Sequence, residues 1–132
     1  ARLRAEGVVP IETFQHFEYY TYEAQPDQVA DAEGMAAAGA AIVSGSQAHH
    51  PQAFAFSHDA LIHHGLGNLF FDQLTVIPNG DIAFIDRHVI YNGRHISTEL
   101  LTIRFVDFAR ARPMEPEERS LLLENAFRAS GW

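Results

Sequence analysis

The stretch from Ala38 to Gln73, AGAAIVSGSQAHHPQAFAFSHDALIHHGLGNLFFDQ, restricts the possible folds of this chain more than any other. A short apolar run, Ala40 to Ser44, ends in a Gly-Ser turn, and the pair His49-His50 follows at once. Gln52 to His58 and Ala60 to Gly65 then have the length and spacing of a hairpin, with Phe54 and Phe56 on one face. A second pair, His63-His64, and the turn Gly65-Leu66-Gly67-Asn68 close the stretch. Polar, metal-capable side chains directly after a buried strand suit a site built on a sheet, because the sheet holds the loops that carry them.

The flanking sequence supplies the rest of that sheet. Gly7 to Phe14 reads as a strand, and Pro10 places it at an edge or a bulge. Gln15 to Glu23, QHFEYYTYE, reads as an aromatic and polar loop. Pro26 to Ala38 has helix signals: Pro26 in the first turn, Asp27 and Asp31 near the positive end, Gly39 to close it. Gly7 to Ser44 is thus strand, helix, strand, a unit that makes parallel neighbours with a right-handed crossover. Its loop at 45–50 then lies at the carboxyl end of a strand, where α/β sheets place ligands.

Further along, Asp72 to Ile77 and Ile82 to Tyr91 flank the turn Pro78-Asn79-Gly80-Asp81. Asn92-Gly93 makes another turn, and Arg94 to Val106 follows as a half-buried strand. Arg110 to Pro116 reads as a linker. Pro116 to Ala129 reads as a helix that docks through Leu122, Leu123, Ala126 and Phe127.

Totals narrow the class of protein. At 132 residues with ten Phe, the chain is one domain or part of a larger one and can bury a core. A net charge of −8 argues against nucleic acid or an anionic membrane as main partner. With no Cys there are no disulfides or thiolate metal sites. No apolar run approaches the ~20 residues of a membrane span, and residues 1–15 lack the apolar core of a signal peptide. The chain starts without Met and turns strand-like by residue 7, so a preceding N-terminal part is expected.

Eight histidines carry most of the candidate chemistry. His49 and His50 are either one metal ligand with a hydrogen-bonding neighbour, or a pair of capped loop histidines. His63 and His64, inside a strand, point to opposite faces and pack in or over the sheet. His88 and His95 flank the Asn92-Gly93 turn in a surface cross-strand role, and His58 is solvated at its turn. His16 and Glu18, emerging beside His49 if the strands are parallel, are second contributors. Asn68 is either a tight-turn residue or a donor to a bound phosphate or carboxylate. There is no P-loop, dinucleotide fingerprint or Gly-x-Ser-x-Gly elbow.

In order, AGAAIVSGSQAHHPQAF and LIHHGLGNLFFDQ resemble the C-terminal half of CapA-type capsule and poly-γ-glutamate synthesis proteins, in the calcineurin-like metallophosphatase superfamily. The similarity runs from about Val8 to Leu74, with FQHFEYY in place of a His-Trp-Gly-x-Glu-Tyr element, and Gly67, Asn68, Phe71, Asp72 and Gln73 match well. The His-Pro-His element is altered: Gln47 and Ala48 replace its first two residues, His49 stands at the third, and His50 is additional. Phe14 stands where the upstream element has its histidine, with His16 in the glycine position.

The resemblance implies an α/β (α+β) fold, the C-terminal half of an αββα sandwich, with a β-hairpin extension and a C-terminal helix. Residues 1–74 would be the metallophosphatase-like segment, its N-terminal half supplied in cis, and 75–132 an extension of the same unit. It further implies divalent metal (Mn, Fe, Zn or Mg) in a mononuclear or dinuclear centre, with His49 and His16 as ligands. His50 or Glu18 would orient substrate or a proton, and Asn68 and Tyr19 would bind substrate. The expected activity is hydrolysis or transfer at a phosphate ester or amide of an envelope polymer or small molecule, at the cell envelope or outside the cell. Gln47 favours an alternative, a non-catalytic module that holds an envelope polymer on Phe14, Phe17, Tyr19, Tyr20 and Tyr22. A third arrangement joins His16, His49 and His50 with Glu18 around one ion.

Overall fold

The computed structural model describes residues 2–71, 76–107 and 110–132. A short helix, α1 (Arg2–Ala5), precedes β1 (Ile11–Gln15), α2 (Pro26–Ala38) and β2 (Ile42–Ser46). Then come β3 (Phe54–Ser57), β4 (Ala60–His63), the long β5 (Ile82–Tyr91) and β6 (Arg94–Val106), β7 (Arg110–Pro113) and α3 (Pro116–Ala129). One sheet has the order β1-β2-β4-β3, the other β5-β6-β7. β1, β2 and β4 run parallel, β3 pairs antiparallel to β4, and the second sheet is antiparallel throughout. The protein is therefore mixed α/β, with a largely parallel sheet, a three-stranded antiparallel sheet and a C-terminal helix.

Helix α2 starts and stops where its end residues dictate. Pro26 leads the first turn, the Gln25 backbone N–H donates to Gln28 Oε1 at 2.9 Å, and Gly39 closes the helix at φ 113°. Ala32 and Ala36 then pack on Val43, Ala60 and Ile62, small residues that let the helix lie close to the sheet. Gln28 is fully buried there, and its Nε2 donates to Gln52 Oε1 at 2.8 Å, so the amide tying helix to loop is satisfied.

The other face of this sheet receives the β5-β6 ribbon and α3. Phe54 packs with Ile82, Phe84, Leu122 and Ala126 in a second core. At its centre His63 Nδ1 lies 2.6 Å from Asp86 Oδ2, the two side chains 1% and 5% exposed. This buried pair ties β4 to β5, which places a polar contact between the two sheets. Arg112 grips Glu118 with two hydrogen bonds of 2.7 and 2.8 Å, fixing β7 to α3.

Several expectations are corrected. Arg110–Pro113 is a strand that pairs with β6, so 110–116 is not all linker. Val76 to Asp81 is a turn, and β5 finds its partner downstream in β6. The earlier part of the strand expected over Asp72–Ile77 lies outside the described residues, as do Gln73 and Leu74. The first strand begins at Ile11 rather than Gly7, and a helical turn occupies Arg2–Ala5. His88 takes the expected cross-strand place, half-buried rather than fully at the surface: its Nδ1 meets its partner Thr98 Oγ1 at 2.7 Å, and burial lowers its pKa.

One position sets how close the strands can come. A Cβ at Gly45, near the end of β2, would overlap the backbone carbonyl of His64. Gly45→Ala should therefore destabilise by about 1–3 kcal/mol and shift the 47–50 loop, read by urea unfolding and by amide shifts of His49. Unchanged stability and shifts would contradict this account of the packing.

His64 gives a pH prediction. Burial, aided by the neighbouring charge of His63, pushes its pKa from 6.5 to about 4. The unfolded chain takes up this proton at higher pH than the folded one, so stability present above pH 6.5 is lost as pH falls toward about 4. His64→Gln should make that acid-side decline shallower in urea titrations, whereas an unaltered slope would mean the ring is not buried neutral.

Candidate functional site

Parallel pairing brings the ends of β1 and β2 to one edge. Phe14 pairs with Gly45 and Gln15 with Ser46, so the chain leaves both strands side by side. Ser46 Oγ donates to the Phe14 carbonyl at 3.2 Å, and Gln15 Nε2 donates to Gln47 Oε1 at 2.5 Å. Gln47 and His49 have φ of 75° and 55°, the left-handed region. Non-glycine residues adopt it at a cost of about 1–3 kcal/mol, and here these contacts hold the loop in that shape.

His49 is held on two sides at this edge. Its Nδ1 lies 2.6 Å from Asn68 Oδ1. Asn68 is buried, and its Nδ2 donates to the Gly80 carbonyl at 3.1 Å, which leaves Oδ1 as the acceptor. His49 Nδ1 must then be the donor, so that in the neutral ring Nε2 carries the lone pair. Phe71 stacks on the ring at 4.5 Å between centroids and 26° between planes. Nε2 faces Glu18 Oε1 at 3.7 Å, and the Tyr20 hydroxyl donates to Glu18 Oε2 at 2.6 Å, which raises the Tyr20 pKa.

A lone pair and a carboxylate oxygen facing each other repel unless a proton or a cation lies between them. Two ligands held about 2.0–2.2 Å from one ion are about 3–3.4 Å apart, so a small closure of 3.7 Å is enough for both to reach it. The tautomer held by Asn68 is that of a metal-binding imidazole with its outer partner in place. The donors are nonetheless two: among the described residues no group of three or more His, Asp or Glu side chains converges on a point. His49 and Glu18 fit a divalent ion as a pair, not as a complete set.

The other expected residues lie apart from that pair. His16 places Nδ1 3.4 Å from Asp27 and Nε2 3.1 Å from Asp31, turning its ring toward α2. Its two nitrogens face two different carboxylates, so no single ion lies on both. Tyr19 donates to Asp27 Oδ2 at 2.8 Å, which raises the Tyr19 pKa and lowers that of Asp27. His50 is 2% exposed. Its Nδ1 donates to the Pro51 carbonyl at 2.7 Å, its Nε2 accepts from Asn79 at 3.0 Å, and burial lowers its pKa. The neutral ring lies edge-on to Tyr22 behind the loop.

Sequence reasoning did not single out Asn79 and Asp86, the partners of His50 and His63, or the link from His16 to Asp27 and Asp31. Asp27 and Asp31 carried a signal, since their i,i+4 spacing puts both on one face of α2. Asp86 carried none, because its partner is 23 residues away on another sheet.

No curated protein matches this sequence. A family model described as bacterial capsule synthesis protein PGA_cap matches residues 1–73. That span takes in β1, α2, β2, β3 and β4, and with them His49, Glu18 and Asn68. It covers more than half of the 132 residues, and the chain belongs to the bacterial capsule synthesis protein PGA_cap family.

Proposed function

We propose that this chain serves capsule or poly-γ-glutamate synthesis at the cell envelope as a metal-dependent hydrolase or transferase. Its substrate would carry a phosphate ester or an amide, and the fold would be that of a metallophosphatase-like half-sandwich. The observation that supports this reading is the lone pair of His49 Nε2 facing Glu18 at 3.7 Å, with the tautomer held by Asn68. On this reading His49 Nε2 and Glu18 Oε1 would hold a divalent ion, Mn, Fe, Zn or Mg. When bound, the ion supplies Lewis-acid polarisation of a phosphoryl or carbonyl oxygen.

The remaining residues position these two. Asn68 keeps the His49 lone pair outward, and Phe71 covers one face of the ring. Tyr20 aims Glu18, while His16 and Tyr19 fasten the same loop to α2. His50, bonded at both nitrogens, braces the 47–50 loop from behind.

A second reading has its own support. Phe17 is 71% exposed and Tyr20 40%, directly beside Glu18. On that reading the loop is a non-catalytic platform on which an envelope polymer stacks, and no ion is needed.

Equilibrium dialysis against Mn²⁺ or Zn²⁺, followed by elemental analysis, separates the two. The metal reading expects saturable uptake that His49→Ala abolishes and that Asn68→Ala weakens about 10–100-fold. Hydrolysis of bis-p-nitrophenyl phosphate should follow the same order. Uptake indifferent to His49→Ala, or no uptake, would overturn that reading. Polymer binding that persists in chelator and falls in Phe17→Ala would establish the platform in its place.

A further inference from the structure

A groove of about 350 Å³ runs along the far side of the sheet, between edge strand β3 and the turn end of β6. One wall is aromatic. Phe56 and Trp132 stack with their planes 14° apart and centroids 5.6 Å apart, and Phe54 lies 19° from the plane of Trp132. Phe56 and Trp132 remain 71% and 59% exposed, side by side. The opposite wall carries Ser97 and His95. His95 Nε2 is engaged with the Ser97 carbonyl and Thr98 Oγ1, while His95 Nδ1 and the Ser97 hydroxyl have no hydrogen bond among the described residues.

Among the described residues no Asp, Glu, Lys or Arg lines this groove, in a chain of net charge −8. An anionic ligand such as a phosphate or an acidic chain would find no countercharge here and would meet the repulsion of the whole protein. The ligand that fits is neutral, with a flat apolar face to lie on the rings and hydroxyls along its edge to meet Ser97 and His95. A groove of this volume holds a ligand of one or two rings. We propose that this groove binds a neutral sugar ring of a glycan, with the Phe56–Trp132 wall as its stacking platform and Ser97 and His95 as its polar contacts. The proposal is independent of any metal at His49.

Trp132 is the only tryptophan, so its fluorescence reports on the groove directly. Titration of the full chain with cellotriose, maltotriose and tri-N-acetylchitotriose should give a saturable shift for at least one. Phe56→Ala should weaken that binding at least 10-fold, and Ser97→Ala by a smaller factor, with circular dichroism unchanged. His49→Ala should leave it intact. An absence of response to every neutral sugar would overturn the proposal. So would equal binding of poly-γ-glutamate, or a response to a proline-rich peptide alone.

Discussion

The parallel pairing of β1 with β2 is the contact on which the rest of the arrangement depends. It places the chain leaving Gln15 beside the chain leaving Ser46, and so brings Glu18 to His49 across 31 residues of sequence. On the other side of β2, Gly45 has no Cβ to meet the His64 carbonyl, and the Phe14 ring lies over the space it leaves. Gly65 does the same on the far side, where a Cβ would come within 2.9 Å of the His50 carbonyl. Two glycines thereby allow three histidine-bearing segments to lie against one another.

The second sheet holds this arrangement from the opposite side. Its ribbon would be a marginal structure alone, since a hairpin needs a covered face for stability. Here Ile82 and Phe84 meet Phe54, and α3 closes the core with Leu122 and Ala126. The His63–Asp86 pair at this junction fixes register more than it adds stability. Where such a pair is ionised, burying the charges costs nearly what their attraction returns, whereas breaking it generally costs about 3–5 kcal/mol. Among the described residues His63 Nε2 and Asp86 Oδ1 have no hydrogen-bond partner.

Much of the frame was legible in the sequence because it rests on local rules. The bounds of α2 and α3 follow from Pro26, Gly39 and Pro116, and the span of β5 and β6 from alternation and the Asn92-Gly93 turn. That Glu18 and His16 would emerge near His49 followed from strand-helix-strand topology. Which of them would reach His49 did not, since that depends on Asp27 and Asp31 drawing His16 toward α2. The partners of His50 and His63 were illegible for the same reason: Asn79 and Asp86 meet them only through long-range packing. β7 was not legible because RARP is only four residues long, lacks β-branched residues and ends in Pro, and its pairing is imposed by β6.

The central claim is that Asn68 holds His49 with Nε2 bare and turned toward Glu18. Long-range ¹H–¹⁵N correlation of the histidine rings tests it directly, without a substrate. The account predicts the Nδ1–H tautomer for His49 in neutral solution, lost in Asn68→Ala, with the Nε2 resonance moving when Zn²⁺ is added. A His49 ring protonated at Nε2 alone, or a Zn²⁺ response confined to other histidines, would contradict it.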